Sequence, residues 1–159
     1  MSQDARFEDA GDRPLNLGAM DGEDLQVISA LAQDAIFPVT EMQWLAGEHR
    51  FALLVNRFRW EDAPAAAQRG RPVERVQSVL VVDNVLRVAS QGVERGDKDV
   101  ILSLLSIAFE PGEDAAGEVI LTLAGDGAIR LSVEALEVTL KDVTRPYVAP
   151  SGHTPTHEG

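Results

Sequence analysis

The side chains best suited to chemistry in this sequence are arginines. Five of them fall between positions 57 and 75, and they are the candidate anion-binding residues: Arg57, Arg59, Arg69, Arg71 and Arg75. The same stretch contains only three acidic residues, although the chain carries 26 Asp and Glu residues and a net charge of −12. Because a planar guanidinium forms paired hydrogen bonds with phosphate and carboxylate, the stretch predicts a patch for a phosphate-bearing ligand or an acidic partner. The alternative is that these arginines are solvated or pair with the protein's own carboxylates.

Two neighbouring features extend this prediction. Arg57 and Arg59 would share one face of a strand by the period of two, and the loop that carries Arg69 and Arg71 would fold over them. Trp60 is the candidate interface residue, because an exposed aromatic side chain can anchor a partner. The alternative is that Phe58 and Trp60 face the core.

No catalytic residue is predicted. The chain has no cysteine, which excludes thiolate nucleophiles and disulfides. Its three histidines are His49, in a predicted turn, and His153 and His157, in a Pro-rich tail. The tail pair has the spacing of metal ligands without the rigid helix that would hold them, and the chain has no Gly-x-Ser-x-Gly elbow for a nucleophilic serine.

No metal or cofactor site is predicted either. Gly125-Asp126-Gly127 turns between two strands and precedes no helix, so it fits neither a P-loop nor a dinucleotide fingerprint. Asp97-Lys98-Asp99 places two carboxylates two positions apart, but a calcium loop needs more oxygen ligands and a fixed glycine.

The clearest structural signal is a β-hairpin from Glu118 to Lys141. Apolar residues alternate with polar ones on both sides of the glycine turn, which is the pattern of two strands with one buried face. The alternation then shifts by one residue. Since such a shift would turn the apolar side chains to the wrong face, we expect a bulge or break near Glu134-Ala135.

One main helix is predicted from Asp21 to Ala35. Asp21 suits the N-cap, and acidic residues follow in the first turn. An apolar stripe at three- and four-residue spacing would face the core: Leu25, Ile28, Leu31, Ala32 and Ala35. Phe37-Pro38 would end the helix, because the residue before proline disfavours the helical region.

A second hairpin is predicted from Val39–Leu45 and Arg50–Trp60, with the turn between them. Its second strand shows the same shift of phase, after which Phe58 and Trp60 carry the apolar face. Leu45–Trp60 aligns with Leu123–Val138 at an offset of 78 positions. This suggests an internal duplication of a β-hairpin unit, although two similar hairpins would also produce it.

The remaining segments read as follows. Glu61–Pro72 is predicted to be a mobile loop from its Pro, Gly and Ala content. Val73–Val82 and Val85–Ser90 are rich in valine and predict a strand pair. Val100–Phe109 is almost wholly apolar and predicts a central strand buried on both faces, with a short buried helix as the alternative.

The sum is an α+β chain: one β-rich domain over residues 14–144, between a disordered lead-in (1–13) and a disordered tail (145–159). We expect about seven or eight strands in a mostly antiparallel sheet or a partly open barrel, with one main helix. The lack of cysteine, of an apolar leader and of a membrane span predicts a cytoplasmic protein with no membrane contact.

Several segments resemble an uncharacterised bacterial family, domain of unknown function 2948. They occur in the family's order and span about Leu15 to Val143: DGEDLQVISALAQDA, RFALLVNRFRWE, RVQSVLVVDNVLRVASQGV, DKDVILSLLSIAFEPG and GAIRLSVEALEVTLKDV. The resemblance implies a small bacterial, cytoplasmic protein, and it brings no activity, cofactor or site residue.

Two functional hypotheses follow. The first is a non-enzymatic binding or interaction module that uses the arginine-rich face or an exposed sheet edge; edge pairing between two copies would make a homodimer. The second is an enzyme for a small anionic substrate, with Arg57, Arg59 and Arg75 as the clamp and Glu61 or Asp62 as acid–base. The enzyme would require these arginines to converge on a pocket.

Overall fold

The computed structural model describes residues 14–148 except 95 and 97. Within these residues the chain forms eleven strands, two α-helices and three single-turn 3-10 helices. The elements are β1 (Asn16–Ala19), α1 (Gly22–Ala32), β2 (Ile36–Pro38), β3 (Met42–Leu45), β4 (Arg50–Phe58), α2 (Ala63–Gln68), β5 (Glu74–Val82), β6 (Val85–Gln91), β7 (Ile101–Pro111), β8 (Gly117–Leu123), β9 (Ala128–Val133), β10 (Val138–Asp142) and β11 (Tyr147–Val148).

All eleven strands belong to one open sheet, and every pairing is antiparallel. The order is β1-β10-β5-β4-β2-β7-β8-β9-β6, with β3 added to β4 and β11 added to β5. The predicted β-rich antiparallel architecture is confirmed, but the predicted count of seven or eight strands is wrong. The strands β2 and β11 were not predicted, because with three and two residues they are too short for a period of two to be recognised.

Helix α1 begins as predicted. The Asp21 side chain accepts a hydrogen bond of 2.8 Å from the Asp24 backbone N–H, and the apolar stripe of the helix packs into the core. The helix ends at Ala32, earlier than predicted, because Asp34 adopts a left-handed conformation (φ 66°). Phe37-Pro38 therefore lies in β2 rather than at the helix end.

The hairpin β8–β9 is also confirmed, and the expected break follows it. β9 ends at Val133 and β10 begins at Val138. A second corner, Asp83-Asn84, lies against this break: Asp83 N–H donates to the Glu137 carbonyl at 3.0 Å. At these two corners the chain passes between the part of the sheet that contains β5 and β10 and the part that contains β6 and β9.

This corner explains why the predicted β5–β6 pair is wrong. β5 pairs with β4, β10 and β11, whereas β6 pairs with β9. The predicted strand at Val100–Phe109 exists as β7, but it is not buried on both faces, since Ile101 and Leu105 are exposed. A register shift between Leu104 and Ser106 breaks its alternation.

The β3–β4 hairpin forms as predicted. The buried side chains of β4 continue in one phase from Phe51 through Val55 to Arg57, so a charged residue takes an inward position, and Phe58 is buried in the other phase at the end of the strand. The duplication of hairpins stays a prediction.

Two predicted irregular segments contain regular structure. Trp60–Asp62 is a 3-10 turn that leads into α2, so the prediction of a loop over Glu61–Pro72 is wrong; Pro64 lies in the first turn of α2, where its missing N–H costs no hydrogen bond. Tyr147–Val148, placed by the sequence in the tail, form β11. The predicted lead-in, residues 1–13, and residues 149–159 of the tail lie outside the described residues.

The inner face of the curved sheet and helix α1 enclose one apolar core. Its largest buried side chains include Phe37, Leu25 and Leu131. No helix in the described part of the chain is long and apolar enough to span a membrane.

Candidate functional site

Arg57 lies inside the protein. Its side chain is fully buried, and its position on β4 faces Val76 of β5, which is also buried. Its Nη1 and Nη2 donate to the two carboxylate oxygens of Glu61, each at 2.9 Å. Nη2 also donates to both oxygens of Asp142, at 3.0 and 3.1 Å. Two carboxylates of this chain therefore hold the guanidinium.

Ser78 and Asp142 complete this interior charge network of Arg57, Glu61, Ser78 and Asp142. Asp142 on β10 faces Ser78 on β5, and the Ser78 hydroxyl donates to Asp142 Oδ1 at 2.7 Å. Asp142 Oδ2 accepts from the Leu15 backbone N–H at 2.8 Å. The network thus joins β4, β5 and β10 to the segment that precedes β1.

The charge of Arg57 is stabilised by this network. Burial, the largest single influence, disfavours the charged form. The hydrogen bonds and charges of Glu61 and Asp142 together outweigh it, and the pKa of Arg57 is raised above its usual value. An external anion at Arg57 would have to displace one of these carboxylates.

Arg59 and Arg71 have carboxylate partners as well. Arg59 is buried and pairs with Glu74. Asp62 Oδ2 lies 2.9 Å from Arg71 Nη2 and 3.5 Å from Arg59 Nη1. Both contacts are ion pairs, and neither has the geometry of a hydrogen bond. The pairs connect the turn before α2 and the chain after it to the start of β5.

Arg75 lies on the opposite face of the sheet. It is directly across from Phe58, and its guanidinium carbon stands 4.1 Å above the centre of that ring. It donates to the Asn56 side chain and carbonyl. Burial is the larger influence on its pKa and lowers it, with a smaller opposing effect from Tyr147. Among the described residues no carboxylate forms an ion pair with Arg75.

Arg69 and Trp60 occupy different surroundings again. Arg69 is exposed after α2, and within the described residues no ion pair involves it. Trp60 is half-buried: its ring packs 5.3 Å from that of Phe58, and its indole N–H donates to the Gln33 carbonyl at 2.8 Å. It joins the end of β4 to the end of α1.

The five arginines therefore do not converge on one pocket. Arg57, Arg59 and Arg71 contact the chain's own carboxylates, Arg75 faces the other way, and Arg69 is apart from both. The carboxylates that the enzyme hypothesis assigns to acid–base work, Glu61 and Asp62, are occupied by these ion pairs.

The other predicted positions add no metal-binding cluster. Asp97 and the tail histidines, His153 and His157, lie outside the described residues. Within the described part of the chain, no three His, Asp or Glu side chains are grouped as metal ligands. His49 is structural: its carbonyl accepts from the Val85 N–H at 2.9 Å, and its Nδ1 lies 3.2 Å from the Val85 carbonyl oxygen.

A more open site lies where the curved sheet brings β6 towards β3. We call β3, β6 and the cavity between them the seam. The cavity has a volume of about 300 Å³ and is mostly apolar, and its walls are Val39, Thr40, Met42, Trp44, Phe51, Val88, Ser90 and Ile129. The contacts between His49 and Val85 close one end of the seam.

Both strands of the seam have an unpaired edge. Among the described residues β3 pairs only with β4, and β6 pairs only with β9. Sequence reasoning missed this site, because it paired β6 with β5. The one available signal was β6 itself, whose sequence VLRVASQ has a single charge and thus little of the protection that natural edge strands carry.

Comparison with known proteins identifies a family but no function. Neither a curated protein nor a solved structure matches the sequence significantly. The model of the family described as Protein of unknown function (DUF2948) matches residues 15–157, nearly the whole chain. The chain therefore belongs to that family.

Proposed function

We propose that this protein is a non-enzymatic interaction module that binds an extended, apolar segment of a partner protein in the seam. The proposal rests on one observation: two strand edges without a hydrogen-bonded neighbour lie beside the same apolar cavity. Edges supply rows of backbone donors and acceptors, which an incoming strand satisfies, and pockets beside an edge select alternate side chains.

The geometry favours an extended peptide over a small molecule. A cavity of about 300 Å³ is at the lower limit for drug-sized ligands, and a small apolar molecule would leave the edges of β3 and β6 unpaired. A peptide strand uses both features, because its backbone pairs with β6 while one side chain in two enters the cavity.

The charge of the chain suggests the partner's character. With a net charge of −12, the protein attracts cationic segments and repels acidic ones. We therefore expect the bound segment to alternate apolar and polar residues and to carry flanking Lys or Arg.

The chain offers an internal reporter for this binding. It has two tryptophans, and Trp44 lines the cavity with 38% of its surface exposed, whereas Trp60 lies elsewhere against Phe58. In a Trp60→Phe variant, Trp44 is the single tryptophan. Peptides selected from a random display library on the full chain should shift its emission to shorter wavelength as water leaves the seam.

Two variants of β6 make the test specific. Ser90→Phe would fill the cavity, and Ala89→Phe places the same ring on the neighbouring residue, which does not line the cavity. We expect Ser90→Phe to weaken the selected peptides by roughly tenfold or more, about 1.4 kcal/mol, and Ala89→Phe to bind normally. Equal binding by both variants, or a library that yields no such peptide, would overturn the proposal. If a fatty acid, and not a peptide, quenched or shifted the Trp44 emission, the seam would be a site for a small apolar ligand.

A further inference from the structure

Arg75 is an arginine whose charge has no counter-ion within the described part of the chain. Arg57, Arg59 and Arg71 each contact a carboxylate. The guanidinium of Arg75 is instead partly buried, and its central carbon lies 4.1 Å above the centre of the Phe58 ring. The loss of water disfavours its charged form, and the pKa of Arg75 is lowered mainly for this reason. A bound anion would therefore stabilise this charge.

Asn56 holds the side chains of Arg75 and Tyr147 together. Its side-chain oxygen and its backbone carbonyl accept hydrogen bonds from Arg75 Nε and Nη2. Its side-chain N–H donates to the Tyr147 hydroxyl oxygen at 2.5 Å, and Tyr147 faces Arg75 in the pairing of β11 with β5. Two donors have no partner among the described residues, Arg75 Nη1 and the Tyr147 O–H. Since a carboxylate accepts several such bonds, we call Arg75, Asn56 and Tyr147 the carboxylate cradle.

The face of the sheet around the cradle is positively charged. The second charge that β5 and β10 present on this face is that of Lys141, which is exposed. The acidic residues of these two strands, Glu74 and Asp142, are paired with the buried Arg59 and Arg57. On a chain with a net charge of −12, an anion at the cradle therefore meets cations, while the acids of these strands are neutralised.

An apolar hollow of about 280 Å³ adjoins the cradle. Asn56 and Gln77, which face each other across β4 and β5, line the end of the hollow nearest to Arg75. Apolar side chains from three strands line the rest, among them Ile36, Leu54 and Ile101. The volume is below the usual range for drug-sized ligands and leaves room for a short alkyl chain or a single ring.

Glu41 limits what the far end of the hollow accepts. Ile36 of β2 pairs with Asn56, and because this pairing is antiparallel the chain then runs away from Arg75. Glu41 lies in the turn that follows β2, and it lines the hollow at that far end. A second negative charge on the ligand would be repelled there.

From this arrangement we infer that the cradle binds the carboxylate of a small monocarboxylic acid, whose apolar body fills the adjoining hollow. Arg75 supplies the positive charge, Tyr147 supplies a neutral donor, and Asn56 positions both. Glu41 selects against dicarboxylic acids. This site is distinct from the seam, because the hollow and the seam cavity share no lining residue.

Heteronuclear NMR of the isotopically labelled full chain tests the inference, with hexanoate as the probe. We expect hexanoate to shift the side-chain N–H signals of Arg75 and Asn56. Two compounds of the same carbon number are the controls: 1-hexanol, which lacks the charge, and adipate, which has a carboxylate at each end. Both should bind roughly tenfold more weakly or not at all. Hexanoate that leaves these signals unmoved, or a control compound that binds as tightly, would overturn the inference.

Variants of the cradle locate the binding. Arg75→Gln should weaken hexanoate binding roughly tenfold or more, because a hydrogen-bonded charge is lost. Arg69→Gln is the matched control and should bind normally, since Arg69 is an exposed arginine after α2.

Tyr147→Phe keeps the test valid if Arg75→Gln is poorly folded. Tyr147 is 37% exposed, so the fold should tolerate the change, and we expect binding to weaken roughly threefold or more. Equal affinity in the unmodified chain, Arg75→Gln and Tyr147→Phe would overturn the inference. None of these variants alters the seam, so the result is independent of peptide binding.

Discussion

The interior charge network and the seam differ in whether their polar groups have hydrogen-bond partners within the chain. In the network, every nitrogen of the Arg57 guanidinium has at least one acceptor from this chain, from Ser78, Glu61, Asp142 and the Phe58 carbonyl. In the seam, the edges of β3 and β6 have no partner among the described residues. Arg57, which looks most like a binding residue in the sequence, therefore has its hydrogen bonds satisfied within the chain, whereas the backbone edges of the seam do not.

This difference shows which structural feature indicates a binding site. Buried charges must be paired, since an unpaired buried charge is very costly, so a buried arginine with two carboxylates needs no ligand to explain it. An unpaired strand edge beside an apolar cavity, in contrast, has backbone donors and acceptors that a ligand could pair with. The comparison makes a prediction: variants of the network should affect stability, and variants of the seam should affect binding.

The largest expected effect is that of Asp142→Ala. It removes the acceptor of Arg57, Ser78 and the Leu15 backbone and leaves a buried charge with one carboxylate fewer. We expect the free energy of unfolding to fall by about 3–5 kcal/mol, measured by urea denaturation. Glu118→Ala, which breaks the exposed pair with Arg130, is the control and should cost no more than about 1 kcal/mol. Similar losses in both variants would mean that the network is not structural.

Glu61→Ala should have an intermediate effect. Glu61 forms the paired hydrogen bonds with Arg57, but its side chain is 27% exposed, so water can partly replace it. We expect a loss of about 1.5 kcal/mol, the lower limit for hydrogen bonds to a charged group, in the same denaturation experiment. A loss as large as that of Asp142→Ala would show that the two carboxylates are equivalent.

Trp60→Phe should cost about 1 kcal/mol. The phenyl ring keeps the contact with Phe58 but cannot donate to the Gln33 carbonyl. Thermal unfolding measures this loss, and peptide binding should be unchanged because Trp60 does not line the seam. Weaker binding in this variant would restore Trp60 as an interface residue.

The smallest effect on stability is expected in the seam. Ser90→Phe adds a ring to an exposed position beside an existing cavity, so the free energy of unfolding should change by no more than about 0.5 kcal/mol. Peptide binding should nevertheless be lost. A large loss of stability would mean that the cavity is a packing feature of the core, and the contrast with the network would disappear.

The sequence was sufficient for features that depend on near neighbours. The N-cap at Asp21, the hairpin β8–β9 and the break after Val133 follow from local patterns, and all three are present. Features that depend on distant partners were missed. β5 and β6 are separated by two residues, yet each pairs with other strands, because Asp83-Asn84 forms a corner instead of a hairpin turn.

The same limit applies to the candidate site. A period of two continued from Phe51 and Val55 places Arg57 inward. The prediction shifted the phase to Phe58 instead, because a buried arginine requires a carboxylate partner, and Asp142 lies 85 positions away. The seam joins β3 to β6, which only the closing curve of the sheet brings together. The sequence therefore showed the cluster of arginines, but it did not show which carboxylates pair with them.

Amide hydrogen exchange in the full chain, with and without a selected peptide, tests the contrast most directly. Amides of β6 whose edge is unpaired should exchange faster than those of β5, which is paired on both sides. On binding, the exchange of β6 should slow by roughly tenfold or more, while amides around Arg57 stay as they were. Peptide binding that leaves β6 unprotected, or that protects the strands around Arg57 instead, would contradict the assignment of the seam as the binding site.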